Sequence, residues 1–188
     1  MNGSHLGDSY DIVKQVLLEA LGSLGDWSAH PMLSAPFDDK QAEAYGRLLG
    51  VPLLSLEVLN PATDRRAYLA KARDSLQQHV FLDPDIGLKL AGTQGKKAPK
   101  YLFGGELVEI AERSSKLLVL VFDQCLQRGK EEAGIDEKRA WLRERGLSSI
   151  AYHSHASFLV VGQSHSLVAR ARAALLDVGR IPEERLIG

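Results

Sequence analysis

Cysteine is almost absent from this chain, because Cys125 is the only one among 188 residues. A single thiol cannot form an internal disulfide and has no partner for a zinc finger, so both cross-links are excluded within the chain. This composition is typical of a reducing cytoplasm, which is the localisation we expect. Cys125 follows a predicted strand and has no base beside it in the sequence, and we expect it to be a small packing residue.

The sequence also lacks an excess of charge and any long apolar run. It has 23 basic and 24 acidic residues, a net charge of -1, so binding to a nucleic acid or a membrane would require a local patch. No stretch approaches the roughly 18 consecutive apolar residues of a membrane helix, and the start has no apolar signal-peptide core. We therefore expect no membrane partner. Residues 1–5 contain Gly-Ser-His, which also occurs in tag remnants, and the sequence leaves open whether they are native.

Two phosphate-binding patterns are missing as well. The chain contains neither Gly-x-Gly-x-x-Gly nor a Walker loop, which excludes an ordinary dinucleotide site and a P-loop nucleotidase.

The residues that are present predict one α/β domain over 1–188. Hydrophobic residues make up 45% of the chain, enough for one substantial core. Apolar periodicity and turn signals predict alternating elements. The predicted helices cover 9–21, 38–49, 64–77, 106–113, 136–145 and 167–178, and the predicted strands cover 27–33, 52–58, 80–82, 116–122, 149–153 and 157–161. This order predicts a three-layer sandwich on a mostly parallel, Rossmann-like sheet, with an antiparallel hairpin near its end.

The strand that begins at Val80 ends abruptly in Asp83-Pro84-Asp85. Ligands of parallel α/β sheets sit at the carboxyl ends of strands, so Asp83 and Asp85 are the predicted catalytic residues. Two carboxylates can also hold Mg²⁺ or Mn²⁺, and Asp123, at the end of another predicted strand, could complete a metal site. The alternative is that one aspartate caps the turn and the other is solvated.

A basic segment, Lys89 to Lys100, follows this turn and has no core-forming pattern. We expect a mobile loop in which Lys96, Lys97 and Lys100 bind a phosphate backbone of RNA or DNA, or are simply solvated.

Three histidines are weaker candidates. His30, at a predicted strand end, is either near the site or a core residue, and His153 and His155 flank the hairpin turn, where exposed histidines are common.

The segment from His5 to Lys14 reads His-Leu-Gly-Asp-Ser-Tyr-Asp-Ile-Val-Lys. It resembles the opening His-Ala-Gly-Asn-Phe-Ala-Asp-Val-Leu-Lys of the bacterial large-subunit ribosomal-RNA adenine methyltransferases. Asp83-Pro84-Asp85 resembles that family's catalytic Asp-Pro-Pro-Tyr turn. The resemblance implies a methyltransferase-like fold, S-adenosylmethionine as cofactor with Lys14 near it, and Asp83 holding the target amine.

The chain departs from the family at three places. No glycine occurs in Ala29-His30-Pro31-Met32-Leu33, where the family has a glycine-rich cofactor turn. Asp85 replaces the second proline of the catalytic turn, and Ile86 replaces the tyrosine that would stack on a flipped base. His30 and Glu57 are the remaining candidates for contacts to the cofactor, Glu57 through a ribose.

Three functional hypotheses follow. The first is a methyltransferase-like protein that acts on or binds nucleic acid or nucleotide, with Asp83 and Lys14 at its site. The second is a metal-dependent phosphoesterase or nuclease that uses the aspartates. The third is a non-catalytic binding module with the same fold.

Overall fold

The computed structural model describes residues 6–188 and places helices on both faces of a six-stranded sheet. His5, where the methyltransferase-like motif begins, lies outside the described residues. The helices are α1 (Ser9–Leu21), α2 (Asp39–Leu49), α3 (Arg65–Tyr68), α4 (Ala70–Arg73), α5 (Gly104–Ala111), α6 (Glu131–Arg143) and α7 (His165–Asp177). The strands are β1 (Trp27–His30), β2 (His79–Leu82), β3 (Gly87–Lys89), β4 (Tyr101–Phe103), β5 (Val119–Phe122), β6 (Ser148–His153), β7 (Ser157–Gly162) and β8 (Leu186–Ile187).

The prediction of an α/β fold is confirmed, but the prediction of a mostly parallel, Rossmann-like sheet is wrong. The main sheet has the order β1-β2-β5-β7-β6-β8. Its first three strands are parallel, whereas the pairings β5 with β7, β7 with β6 and β6 with β8 are antiparallel. The cause is the predicted hairpin: its second strand, β7, returns between β5 and β6, and a tight turn allows only antiparallel pairing. The result is a mixed sheet.

Capping residues fix the ends of the first two long helices. The Asp8 side chain accepts from the backbone N–H groups of Tyr10 and Asp11 at the start of α1. Asp38 and Gln41 form a reciprocal capping box on α2, which ends at Gly50 with a left-handed φ of 69°.

Two predicted elements between β1 and β2 are wrong. Residues 52–58 form no strand and make two isolated bridges, Leu53 with Ala29 of β1 and Val58 with Leu33 beyond the end of that strand. The helix predicted over 64–77 is divided into the short helices α3 and α4, with Asp64 as the cap of the first. The predicted basic loop is also partly ordered, since Lys89 ends β3 and β3 pairs with β4.

The core lies on both faces of the sheet. Helices α1, α2 and α7 cover one face, and α3, α4, α5 and α6 cover the other. Because β1, β2 and β5 are parallel, their carboxyl ends lie side by side at one end of the strands. We call this side of the sheet the strand-end edge. Of the helices in the described part, none has the length and apolar character needed to cross a membrane.

Candidate functional site

A buried ionic cluster lies at the strand-end edge, where β2 ends. The Lys14 Nζ atom of α1 lies 2.9 Å from Asp11 Oδ1 and 2.9 Å from Asp83 Oδ2. The Tyr45 hydroxyl of α2 donates to the same Asp83 oxygen at 2.5 Å. None of these four residues is more than 4% exposed. Asp83 therefore joins β2 to both helices that cover this part of the sheet.

The ammonium of Lys14 lies between the two carboxylates of the cluster. Burial alone would lower the pKa of Lys14, but the carboxylates of Asp83 and Asp11 outweigh it and raise that pKa above its usual 10.5. Burial, and then the charge of Asp83, raise the pKa of the Tyr45 hydroxyl well above 10. Lys14 is thus held as an ammonium, and Tyr45 as a neutral donor.

Asp85 occupies a more open position than Asp83. Its carboxylate accepts from the Ser34 hydroxyl at 2.5 Å and lies 3.7 Å from Lys100 Nζ. The Lys100 carbonyl accepts from the Ile86 N–H at 2.9 Å, which fixes the end of the lysine segment against the aspartate turn. Lys96 and Lys97 are exposed. The structure therefore brings Lys100 to the predicted site, and leaves the other two lysines in solvent nearby.

Asp123 belongs to a separate buried ion pair. The Nζ atom of Lys138, from α6, lies 2.6 Å from Asp123 Oδ2. The other carboxylate oxygen accepts from the backbone N–H groups of Leu88 and Cys125. Asp123 thus joins β5 to β3 and α6, which is a structural role.

The three aspartates do not fit a divalent cation. Asp83 and Asp123 each already bind a lysine ammonium, and Asp85 binds a hydroxyl and faces a third lysine. Within residues 6–188, no group of three histidine, cysteine or acidic side chains is arranged to hold a metal ion.

The turn after β1 is closed by its own side chains. His30, Met32 and Leu33 are fully buried, and Met32 has a φ of 44°, a left-handed conformation in which glycine is favoured. Glu57 lies on the surface. This turn therefore does not fit a cofactor held by an open, glycine-rich backbone. His30 packs edge-on against Tyr68 with ring centroids 4.8 Å apart, and neither His30 Nδ1 nor the Tyr68 hydroxyl has a hydrogen-bond partner in the described structure.

His30 makes the folded state sensitive to acid. Burial lowers the pKa of His30 to about 4, partly offset by its bond to the Tyr68 carbonyl. Because the unfolded histidine titrates near 6.5, the unfolded chain binds the additional proton between these values, so stability falls as the pH drops from 7 to 4. We expect His30 to account for about 3 kcal/mol of this loss. Denaturant titrations of His30→Gln at both pH values should show a correspondingly smaller loss.

His155→Gln is the matched control, because His155 is exposed. We expect it to retain the pH dependence of the wild type. An identical pH dependence in His30→Gln and the wild type would contradict this assignment.

An aromatic pair lies beside the ionic cluster. The rings of Tyr10 and His155 have centroids 5.5 Å apart, and Tyr10 also contacts Phe122 edge-on at 5.9 Å. Lys14 Nζ lies 5.0 Å from the Phe122 ring centre, which connects the pair to the cluster. His155 is exposed and Tyr10 is half-buried. His153 points elsewhere and bonds to Ser157 at 2.6 Å.

A groove of about 470 Å³ lies between the start of the lysine segment and the β5–α6 connection. Its lining includes Leu90, Cys125, Lys130 and Lys138. Cys125 is half-buried, and burial raises the pKa of its thiol. This environment disfavours the reactive thiolate and agrees with a packing role.

Sequence reasoning missed Asp11, Tyr45 and Lys138, although a signal for two of them was present. Asp11 and Lys138 each occupy a helical position in line with buried leucines or isoleucines. A charge on an apolar helix face predicts a buried partner of opposite sign. Tyr45 carries no comparable signal, since a tyrosine on a core-facing stripe is ordinary.

Comparison of the chain with protein-family models, with curated proteins and with solved structures finds no match.

Proposed function

We propose that this protein binds nucleic acid or nucleotide at the strand-end edge without transferring a methyl group. The observation that carries the proposal is the buried state of Asp83, which is 1% exposed and is bound by Lys14 and Tyr45. A carboxylate held in this way organises the edge and is not free to accept the amine of a substrate. The closed turn at His30, Pro31 and Met32 supports the same conclusion for the cofactor.

The charges around this edge favour a phosphate-bearing ligand. The exposed side chains of Lys96, Lys97, Lys100, Arg128 and Lys130 lie in the two connections that border the groove beside Cys125. Glu137 also lines the groove, but these five basic side chains outnumber it, whereas the whole chain has a net charge of only -1. Lysine and arginine contacts to phosphate supply most of the affinity in sequence-independent binding.

The pair of Tyr10 and His155 favours a nucleobase beside those phosphates. Single-stranded nucleic acids bind to basic grooves in which aromatic side chains stack on the bases. Ile86 cannot supply such a ring from the aspartate turn, whereas Tyr10 offers one from α1, next to Asp11 of the ionic cluster. A single-stranded segment lying across the edge would meet both features.

Reversing two charges in the lysine segment should weaken binding strongly. We expect Lys96→Glu/Lys97→Glu to lower the affinity for a 20-nucleotide single-stranded RNA by about tenfold or more. The slope of log affinity against log salt should fall by about 1.4, since each lost phosphate contact removes roughly 0.7. Fluorescence anisotropy of labelled RNA between 50 and 200 mM salt measures both quantities.

The matched control is Lys116→Glu/Arg170→Glu, which makes the same change of charge away from the strand-end edge. Lys116 precedes β5, and Arg170 lies on α7 near His79 at the start of β2. We expect this variant to bind nearly as the wild type does. Equal weakening by both variants would show a general charge effect and contradict the proposed site.

The second candidate is an S-adenosylmethionine-dependent methyltransferase that acts on nucleic acid. A specific observation favours it: Lys14 and Asp83, the two residues to which the methyltransferase resemblance gives roles, are 69 positions apart and lie in contact. Calorimetric titration with millimolar S-adenosylmethionine separates the candidates. The binding proposal expects no heat and no thermal shift, and saturable binding would replace it with this second candidate.

A further inference from the structure

Arg65, the first residue of α3, joins three parts of the chain through one guanidinium group. Its Nε and Nη2 atoms donate to the two carboxylate oxygens of Glu106 on α5, at 2.6 and 2.7 Å. Nη1 donates to the Ala98 carbonyl at 3.3 Å, and Nη2 also donates to the Tyr101 carbonyl at 2.8 Å. The guanidinium lies 4.3 Å from the centre of the Phe103 ring. Four of the five N–H groups of Arg65 are therefore engaged within the protein.

These contacts hold the carboxyl end of the lysine segment. Ala98 and Tyr101 lie on either side of Lys100, whose own carbonyl accepts from the Ile86 N–H at 2.9 Å. At the other end of the segment, Lys89 is the last residue of β3, which pairs with β4. The segment is thus a loop that is anchored at both ends, and Arg65 supplies side-chain bonds to one of the two anchors.

Arg65 is mostly buried, unlike the lysines that it holds. The side chains of Arg65 and Glu106 are 21% and 20% exposed, whereas Lys97 and Lys100 are exposed residues. A guanidinium that forks onto a carboxylate fixes a planar geometry that the ammonium of a lysine cannot reproduce. Because its donors are already engaged, Arg65 is placed to act on the loop and not on a ligand.

We propose that Arg65 is a positioning residue for the nucleic-acid site, and that its pair with Glu106 holds Lys97 and Lys100 where they meet phosphate groups. Ordering the loop in advance lowers the conformational entropy that would otherwise be lost when the ligand binds. Arg65 itself makes no contact with the ligand. This inference rests on the proposed binding of nucleic acid at the strand-end edge.

Arg65→Lys tests the proposal, because it keeps the positive charge and removes the fork. We expect the affinity for the 20-nucleotide single-stranded RNA to fall by about fivefold or more. The slope of log affinity against log salt should stay within about 0.3 of the wild-type slope, since no phosphate contact is lost. A fall of about 0.7 would show that Arg65 contacts phosphate and would overturn the inference.

Arg66→Lys is the matched control, because Arg66 is the next residue of α3 and is exposed. It makes the same chemical change beside the fork, and we expect it to bind the RNA within about twofold of the wild type. Equal weakening by Arg65→Lys and Arg66→Lys would overturn the specific role of Arg65.

Glu106→Ala separates positioning from net charge. Removing this carboxylate makes the surroundings of the lysine segment more positive, so electrostatics alone predicts tighter binding of RNA. The positioning role predicts binding that is weaker by about threefold or more, because Arg65 loses the carboxylate that fixes it. Unchanged or tighter binding by Glu106→Ala would overturn the inference.

Trypsin cleavage reports the order of the loop in the absence of RNA. At a temperature where denaturant titration shows both proteins to be folded, Arg65→Lys should raise the rate of cleavage after Lys97 and Lys100 by about fivefold or more, with cleavage elsewhere unchanged. A wild type that fails to bind RNA would overturn the proposed function, and with it the role of Arg65 in binding, even if the cleavage rates differ. A wild type that binds RNA, together with equal cleavage of both proteins, would overturn the positioning role alone.

Discussion

Replacing Lys14 by Met is expected to destabilise the protein by about 3–5 kcal/mol. The substitution removes the cation that lies 2.9 Å from both Asp11 and Asp83 and leaves two carboxylates in a site where neither is more than 1% exposed. Methionine retains most of the aliphatic contacts of Lys14, so the loss of stability measures the effect of removing the positive charge. Equilibrium unfolding in guanidinium chloride at pH 7 measures it.

The pH dependence of the variant gives a second readout. Without Lys14, Asp11 and Asp83 place two carboxylates in a buried site with no cation between them. Acid that protonates such a carboxylate removes the unpaired buried charge. The difference between Lys14→Met and the wild type should therefore be smaller at pH 4 than at pH 7.

Two further variants identify the cause of the loss. The triple variant Lys14→Met/Asp11→Asn/Asp83→Asn removes the unpaired charges and should recover part of the stability lost in Lys14→Met. Arg47→Met breaks the exposed pair with Glu43 and should cost less than about 1 kcal/mol. A loss at Lys14 as small as that at Arg47 would contradict a buried cluster in which Lys14 is needed by both carboxylates.

The elements of this fold that could be predicted are those with local signals. Asp8, Asp38 and Gly50 cap helices at the expected positions, and the Val80 strand ends just before Asp83. The hairpin of β6 and β7 also follows from its pattern. Each of these features depends on residues that are close in sequence, which is why one sequence suffices to find them.

The order of strands could not be predicted in the same way. The hairpin of β6 and β7 could place either of its two strands beside β5. Long-range packing decides which strand lies there, and the apolar pattern of β7 is the same in both arrangements. Residues 52–58 have strand-like composition but form only two isolated bridges, one to Ala29 of β1 and one to Leu33 beyond its end. Composition favours a strand here, but a strand forms only where its backbone pairs continuously with a neighbouring strand.

The residues of the candidate site also divide into those with a local sequence signal and those that depend on long-range contacts. The sequence predicts Asp83 at a strand end, where it does lie, and a resemblance between short motifs links Lys14 to it. From the sequence, Asp123 was a candidate metal ligand in one alternative, and its ion pair with Lys138 was not predicted. A lysine on the core-facing stripe of Ile135 and Leu142 was the available signal, since a buried ammonium requires a carboxylate nearby.

Gly87→Ala should destabilise the protein by about 3–5 kcal/mol, about as much as Lys14→Met. Gly87 has a φ of 129°, which side chains rarely adopt, and an added Cβ would lie 2.7 Å from both Asp123 Cα and Gln124 N. It would also collide with Asp123 Oδ1, the oxygen that accepts from Leu88 and Cys125. Backbone cannot move aside as a flexible side chain can, so the cost combines strain with loss of the Asp123 contacts.

Gly105→Ala is the control for this substitution. Its Cβ would meet nothing within 4 Å, and Gly105 lies in helix α5, where alanine is favoured by roughly 0.5–1 kcal/mol. We expect Gly105→Ala to be neutral or slightly stabilising in the same denaturant titration. A Gly87→Ala variant within about 1 kcal/mol of the wild type would show that β3 does not approach Asp123 this closely. Because Asp123 also binds Lys138, the close approach at Gly87 and that ion pair hold the end of β5 against both β3 and α6.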